Sequence, residues 1–360
     1  MFGKMTRNLP NIGKMLQCAA MNPSGETSPL DLAVLLVFWA RPQTLARCFA
    51  RIRQARPARL YLYQDGAPPD AARAAGHTAC RDFLADAVDW PCEVFRRHEP
   101  ENRGPWDANA RGIRWMFARE EAGVILEDDD IVEPSFFPFA AELLRRYRDD
   151  ERIGMIAGMN HERATRTDAS YLFTRFQSIW GWASWKRVVE AWDETYSWLD
   201  DPERCARFRR YSPAEYAYRR QVSEACRATG RMNYEMLSWA VFAEKEQVNI
   251  VPAVNLVSNV GVGEGTGHFG ALREEAKGIQ KLMLMPTQPM GFPLVHPAEV
   301  AEDARYTAMA DRALAFGHPW VERFRRIERS LRRFWFAPWP RKLEKIGRLA
   351  SVLRWWRGGW

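Results

Sequence analysis

Four consecutive acidic residues are the strongest candidates for chemistry in this sequence. Glu127, Asp128, Asp129 and Asp130 directly follow a short apolar run. Adjacent carboxylates repel one another unless a cation neutralises them, and their hard oxygen atoms suit Mg²⁺ or Mn²⁺. A metal ion at this position would bridge to a diphosphate and assist its departure as a Lewis acid. The alternative reading is a solvated acidic turn that caps a helix starting near Pro134.

The segments around this cluster alternate between strand and helix patterns over roughly the first 150 residues. Continuous apolar runs predict strands, and apolar residues at helical spacing predict the helices between them. The predicted strands are 33–39, 60–63, 92–95 and 123–126, and the predicted helices are 45–52, 70–88, 113–117 and 134–147. This alternation predicts an α/β fold with a doubly wound, mostly parallel sheet. Ligands of such sheets bind at the carboxyl ends of the strands, where the acidic cluster stands.

The second half of the chain is less regular. It predicts helices over 213–230 and 236–246, followed by a strand over 248–251. Residues 180–182 predict a turn that opens a helix near Ser184.

Composition limits the possible classes of protein. The chain has 360 residues, of which 47% are hydrophobic, so it can bury a core and is not disordered throughout. Six scattered cysteines show no C-x-x-C spacing, which favours reduced cysteines in a cytosolic protein. The longest apolar run, 32–40, is too short to cross a bilayer.

The positive charge is concentrated at the C-terminus. Residues 319–360 hold twelve Lys or Arg residues against three acids, so the rest of the chain is close to neutral. Apolar residues recur at helical spacing over 321–331 and again over 343–356, with tryptophans at the edges. This pattern is typical of basic amphipathic helices at an anionic membrane surface. The alternative is a helix docked on the body with a solvated basic face, and no nucleic-acid module supports a nucleic-acid partner. The expected organisation is a lead-in over 1–30, one catalytic domain over 31–300 and a basic tail over 301–360.

Five short motifs occur in a fixed order. They are Trp39-Ala40-Arg41-Pro42, Tyr63-Gln64-Asp65-Gly66, Leu126-Glu127-Asp128-Asp129-Asp130, Trp180-Gly181-Trp182 and Asn255-Leu256-Val257-Ser258-Asn259-Val260-Gly261. Together they resemble the GT-A glycosyltransferases related to the N-acetylglucosaminyltransferase that begins complex N-glycan branches. The chain resembles still more the bacterial proteins that share these motifs, some of which are labelled haemolysin-like. The resemblance covers roughly residues 32–269 and implies a GT-A nucleotide-sugar fold.

The resemblance implies a nucleotide site at the strand ends. Arg41 is expected beside the diphosphate, because a guanidinium binds phosphate oxygens in bidentate fashion. Asp65 is expected to accept hydrogen bonds from the base, uracil in a UDP-sugar. Asn102 and Arg111 are expected in the region that closes over the nucleotide, and Asp128 is expected on its nucleotide side.

The same resemblance implies a metal site for Mn²⁺ or Mg²⁺. Asp129 is expected to bind the metal directly, with Asp130 and Asp128 in support. His268, in the glycine-rich loop after Gly261, is expected to ligate the metal or contact the diphosphate. The alternative for a lone histidine is neither role.

Glu235 is the candidate general base of an inverting reaction. Relatives place an Asp in a Trp- and Tyr-rich stretch before the last core strand, and the matching stretch 233–239 has Glu235 as its only carboxylate. Trp180, Gly181 and Trp182, with Trp185 nearby, are expected to form a platform for the acceptor sugar. The alternative is that at least two of these tryptophans belong to the core.

The predicted function is that of a glycosyltransferase. It would move a sugar from a nucleotide diphosphate donor, a UDP-sugar, to a glycan or glycolipid in surface polysaccharide or lipopolysaccharide synthesis. The expected location is the cytoplasmic face of a bacterial inner membrane. The alternative is a non-catalytic, membrane-associated scaffold on the same fold, which the departure at Glu235 favours and the intact Arg41 and Asp65 oppose.

Overall fold

A central sheet of eight strands and a separate pair of strands form the framework of the described chain. The computed structural model describes residues 28–262 and 272–336. The strands are β1 (Leu30–Phe38), β2 (Pro57–Gln64), β3 (Glu93–His98), β4 (Ala122–Glu127), β5 (Asp130–Val132), β6 (Ile153–Ala157), β7 (Tyr171–Thr174), β8 (Trp182–Trp185), β9 (Val248–Pro252) and β10 (Val257–Asn259). The sheet order is β3-β2-β1-β4-β8-β6-β9-β7, and β10 pairs with β5.

Most strands of the central sheet run in one direction. β3, β2, β1 and β4 are mutually parallel, and β6 and β9 run the same way. β8 and β7 run against them, as the antiparallel pairing of each with its neighbours shows. The prediction of an α/β fold with a mostly parallel sheet is confirmed.

Helices cover both faces of this sheet. They are α1 (Pro42–Ala55), α2 (Ala71–Ala85), α3 (Pro105–Phe117), α4 (Phe136–Arg146), α5 (Lys186–Val189), α6 (Pro202–Tyr211), α7 (Tyr216–Thr229), α8 (Tyr234–Glu244), α9 (Lys277–Leu282), α10 (Ala304–Leu314) and α11 (Pro319–Phe336). Alternate residues of β1 pack into two different hydrophobic cores. Val34 and Leu36 pack with residues of α1 and α4, whereas Leu35 and Val37 pack with residues of α3 and α8. A strand buried on both faces needs the unbroken apolar run that the sequence shows.

The expected helix near Ser184 is wrong in part, because the segment first forms a strand. β8 lies between β4 and β6 with all four of its residues buried, and only the single turn α5 follows it. Ser184 interrupts the apolar residues of this strand, so the segment shows no continuous apolar run. Its buried hydroxyl donates a hydrogen bond to the Gly154 carbonyl at 2.8 Å, which satisfies it inside the sheet.

The packed body extends beyond the expected domain end at residue 300. Tyr306 and Ala310 of α10 are fully buried against Leu172 of β7 and Val251 of β9. α10 therefore belongs to the body, and α11 follows it directly. Within the described ranges, no helix combines the length and apolar character needed to cross a bilayer. The predicted lead-in up to residue 27, the helix over 343–356 and His268 lie outside the described residues.

Candidate active site

A cleft of about 640 Å³ opens at the carboxyl edge of the parallel strands. The ends of three strands line it, through Phe38 at the end of β1, Asp65 after β2 and Glu127 at the end of β4. Other parts of the lining come from the start of α8 and from the segment that precedes β8. This is the edge at which open α/β sheets bind ligands.

The four acids of the cluster separate into different environments. Glu127, Asp128 and Asp129 line the cleft, whereas Asp130 lies outside its lining. The Asp130 carboxylate accepts backbone N–H groups from Glu127 at 3.1 Å and from Gly181 at 2.9 Å. Asp130 therefore ties β4 to the turn before β8, whereas Asp129 beside it lines the cleft.

Burial makes this cluster electrostatically costly. Desolvation raises the pKa of Glu127 to about 7 and that of Asp128 to about 6, with the nearby Asp129 adding to both. Burial likewise raises the pKa of Asp130 well above its usual range. Within the described residues, Arg41 is the cation paired with these carboxylates.

Arg41 stands at the amino end of α1 and forms ion pairs with two of the acids. Its guanidinium contacts Asp128 and donates to Asp129 at 2.8 Å. Desolvation opposes the charged guanidinium, but the attraction of Asp128 and Asp129 outweighs it and raises the pKa of Arg41. The side chain stays 25% exposed toward the cleft, so it remains within reach of a bound anion. Sequence reasoning placed Arg41 beside a phosphate but did not foresee that it also contacts the acids.

Asp65 and Asn102 join two loops that line the cleft. The Asp65 carboxylate accepts the backbone N–H of Arg103 at 3.0 Å and that of Gly104 at 2.9 Å, just before α3. The Asn102 side chain donates to the Gly66 carbonyl at 3.0 Å. A Cβ at Gly66 would lie 2.1 Å from the Glu101 carbonyl carbon, so the close approach of these two loops requires glycine.

Asp65 retains the capacity to bind a ligand. Burial raises its pKa from the usual value, although the backbone N–H groups oppose that rise. A carboxylate has about four acceptor sites, and the loop occupies only part of them. Arg111 lies within α3, away from the lining of the cleft. The structure therefore brings Asp65 and Asn102 together and leaves Arg111 apart from them.

Glu235 lies in the first turn of α8 and lines the cleft. The Asn233 side chain caps this helix by accepting the Glu235 N–H at 3.0 Å, which fixes the direction in which the turn begins. The Glu235 carboxylate lies 3.8 Å from the Arg219 guanidinium and is 28% exposed. Arg219 is itself buried and bound to Glu215 at 2.7 Å. A buried cation thus faces the candidate base.

The three residues of the expected acceptor platform lie in different environments. Trp180 is half-buried and lines the cleft. Trp182 is 1% exposed and stacks on Tyr234 with ring centroids 6.1 Å apart, and Trp185 is buried in the core as well. Gly181 has φ of +57° and donates to Asp130, and a Cβ there would meet Val257 at 2.8 Å. Only Trp180 of this group is placed to contact a ligand, because β8 turns the next side chains into the core.

Three neutral polar residues that the sequence did not indicate line the cleft and carry buried atoms without a hydrogen-bond partner among the described residues. Gln177 is 5% exposed, and neither its amide oxygen nor its amide nitrogen has a hydrogen-bond partner among the described residues. His161 Nδ1 and Asn109 Oδ1 are likewise buried without a partner there. Burial lowers the pKa of His161 to about 4, so its ring is neutral at pH 7. These residues lie at irregular positions of the sequence with no periodic signal to mark them.

Neutral groups of this kind suit hydroxyl ligands. Unpartnered buried amides are costly and rare, and a ligand with donors and acceptors would satisfy them. Within the described ranges, no three His, Cys, Asp or Glu side chains are arranged to hold a metal ion by themselves. Asp129 would hold a cation on the cleft side.

Comparisons with known proteins give only distant similarities. No protein-family model and no curated protein matches the chain. One similar structure is the UTP-bound UGPase from Acinetobacter baumannii, at a TM-score of 0.31 and 7% identity, covering 64% of this chain and 88% of that one. HddC from Yersinia pseudotuberculosis gives a TM-score of 0.29 at 11% identity, covering 44% and 79%. A UDP-glucose pyrophosphorylase complexed with UDP-glucose gives 0.26 at 9% identity, covering 45% and 79%. Similarities at this level assign no activity to the chain.

Proposed function

We propose that the chain is a metal-dependent glycosyltransferase of the GT-A type. Its donor would be a nucleotide diphosphate sugar, specifically a UDP-sugar, and its acceptor a glycan or glycolipid. The observation that carries the proposal is the convergence of Arg41, Asp65, Asp129 and Glu235 on one cleft, although they come from widely separated parts of the sequence.

The nucleotide end of the cleft has complementary chemistry. Asp65 offers acceptor oxygens to the N–H group of a uracil base, and Arg41 offers a guanidinium to the diphosphate. Asp128 and Asp129 share the single guanidinium of Arg41, and their hard oxygen atoms fit Mn²⁺ or Mg²⁺ as a second cation. When bound, such an ion stabilises the negative charge of the departing diphosphate.

Other residues that line the cleft suit the sugars. Trp180 offers an aromatic face, and Gln177 and His161 offer neutral hydrogen-bonding groups to hydroxyls. Glu235 would accept the proton of the acceptor hydroxyl as its oxygen bonds to the anomeric carbon. The bond from that carbon to the diphosphate oxygen breaks, and the nucleoside diphosphate leaves with the electron pair. Attack from the face opposite the leaving group inverts the anomeric configuration.

Calorimetric titration of UDP into the protein, with and without Mn²⁺, tests this proposal. We expect metal-dependent binding that Asp129→Ala abolishes and that Asp149→Ala, a change at a carboxylate with 87% side-chain exposure, leaves intact. Folded protein that binds none of UDP, GDP, TDP and CDP under either condition would contradict it.

A non-catalytic binding protein on the same fold is the second candidate. The observation that favours it is Arg41, whose guanidinium already pairs with both Asp128 and Asp129. A binding protein would hold UDP in the titration but release no UDP from UDP-sugars in the presence of acceptor extracts. Measuring UDP release beside UDP binding therefore separates the two candidates.

A further inference from the structure

α11 has its polar face turned toward the protein and its apolar face turned toward solvent. A surface helix normally does the reverse. Its partly buried residues are Arg325, Glu328, Arg329, Arg332 and Arg333. Its large exposed apolar residues on the outer face are Trp320, Phe324, Ile327, Leu331, Phe334 and Trp335.

Ion pairs hold the polar face on the body. The Glu275 carboxylate, only 1% exposed, lies 2.7 Å from the Arg329 guanidinium and 2.8 Å from that of Arg333. Arg325 donates to the Ala313 carbonyl at 2.9 Å, which joins α11 to the end of α10. Arg332 donates to the Arg273 carbonyl at 3.2 Å. Four of the six arginines of α11 are therefore engaged with the body, so the helix offers less free positive charge than its sequence implies.

The outer face forms one continuous apolar stripe. Its residues recur three or four positions apart, which places them along one side of a helix about 27 Å long. Eight of the thirteen large apolar residues that are exposed in the described chain belong to α11. Trp320 and Trp335 are 69% and 73% exposed, near the two ends of the stripe. An apolar surface of this extent marks an interaction site.

We propose that this stripe docks α11 on the surface of an anionic lipid bilayer. Tryptophans near both ends of an apolar helix face suit the boundary between headgroups and acyl chains. Arg323 and Arg326 are exposed along one edge of the stripe, where lipid phosphates would lie, and Arg326 there also pairs with Glu322. The sequence after Phe336 adds six Lys or Arg residues against Glu344 alone, which gives the same preference for negative charge.

A second copy of the chain is the competing occupant. Self-association through the stripe would bring the basic edges of two copies to one interface, where they repel. Anionic headgroups neutralise the same edges. Charge therefore favours the bilayer, and the inference holds whether or not the cleft binds a nucleotide.

Flotation of the full chain with vesicles tests the proposal. The vesicles are phosphatidylcholine alone or phosphatidylcholine with a minority of phosphatidylglycerol. We expect binding that is stronger with phosphatidylglycerol and that falls about tenfold or more in Phe324→Ser/Leu331→Ser, because each change removes a large apolar contact with the acyl region. Phe83→Ser/Val295→Ser is the matched control, since those exposed side chains lie elsewhere on the surface, and it should bind as the wild type does.

Three outcomes would overturn the proposal. The first is wild-type protein that stays with neither vesicle. The second is a Phe324→Ser/Leu331→Ser protein that floats like the wild type, which would leave residues 337–360 as the binding segment. The third is a wild-type dimer that the double change converts to monomers, without vesicle binding by either protein. Sedimentation velocity measures the oligomeric state, and thermal unfolding checks that the variants are folded.

Discussion

Tyr234 donates its hydroxyl to the Glu127 carboxylate across 2.9 Å, and this bond joins the first turn of α8 to the end of β4. Tyr234 precedes Glu235, and Glu127 begins the acidic cluster. The ring of Tyr234 also stacks on Trp182 of β8. The candidate base and the candidate metal site are thus held at a fixed separation by one buried tyrosine.

Tyr234→Phe should destabilise the protein and weaken catalysis together. Loss of a hydrogen bond to a partly buried carboxylate costs about 1–3 kcal/mol, and it removes the direct bond between α8 and β4. Urea unfolding and UDP release at saturating donor measure the two effects. Tyr61→Phe removes a similar bond, to Glu120 at 2.8 Å, remote from the cleft. We expect that control to lose stability and retain turnover. Equal turnover in both variants would contradict a positioning role for Tyr234.

Asp130→Ala should act on stability more than on nucleotide binding. The change leaves the N–H groups of Glu127 and Gly181 without their acceptor in a buried region, at a cost of about 2 kcal/mol or more. Asp129→Ala removes no backbone hydrogen bond of this kind and should unfold at nearly the wild-type urea concentration. An Asp130→Ala protein with wild-type stability and no metal-dependent UDP binding would instead support Asp130 as a metal ligand.

The sequence was sufficient for the part of the fold that carries Asp65 and Asp129. β1, β2 and β4 are buried strands, and burial on both faces requires the continuous apolar runs that predicted them. Because parallel strands end at one edge, Asp65 and Asp129 could be expected to lie near each other from their positions after strands.

The other features of the fold and of the cleft depend on contacts between residues that are distant in the sequence. β8 is a strand because β4 and β6 pair with it, not because of its own pattern, and this pairing buries Trp182. α10 completes the core although the basic tail begins near it in the sequence. The sequence also did not indicate the orientation of α11. Helical spacing defines an apolar face and a polar face, but it does not indicate which of them packs on the body, here through Glu275. Tertiary packing alone places Gln177 in the lining of the cleft.

The stability of the protein should depend on His161 at acidic pH. Burial lowers the pKa of His161 from 6.5 to about 4. Between these two pH values the unfolded chain therefore binds a proton at His161 that the folded chain does not bind. The associated stability is fully present above pH 6.5 and is lost as the pH falls toward 4. Relative to His161→Gln, wild-type protein should lose on the order of 2 kcal/mol over that interval. Chemical unfolding at a series of pH values measures this difference, and parallel curves for the two proteins would contradict it.

Gln177→Leu should separate recognition of the sugar from recognition of the nucleotide. Leucine fills a similar volume and removes two buried groups that have no partner in the described chain, so stability should hold or rise. UDP should bind as to the wild type, whereas the loss of two hydrogen bonds should weaken UDP-glucose or UDP-N-acetylglucosamine about tenfold. A higher KM for the acceptor, with donor binding unchanged, would assign Gln177 to the acceptor side. If both ligands bind normally, Gln177 contacts neither sugar.

Glu235→Gln tests the chemical step. Removal of a general base lowers kcat by about a hundredfold or more, whereas UDP affinity should not change, because Arg41, Asp65 and Asp129 remain. Glu235→Asp keeps the carboxylate with one methylene less of reach and should recover part of kcat. A structural role through the Arg219 contact at 3.8 Å would instead lower the stability of both variants and spare kcat. Unchanged turnover in Glu235→Gln would transfer the role of base to another carboxylate of the cleft. Glu127, which also lines the cleft, would then be the group to examine.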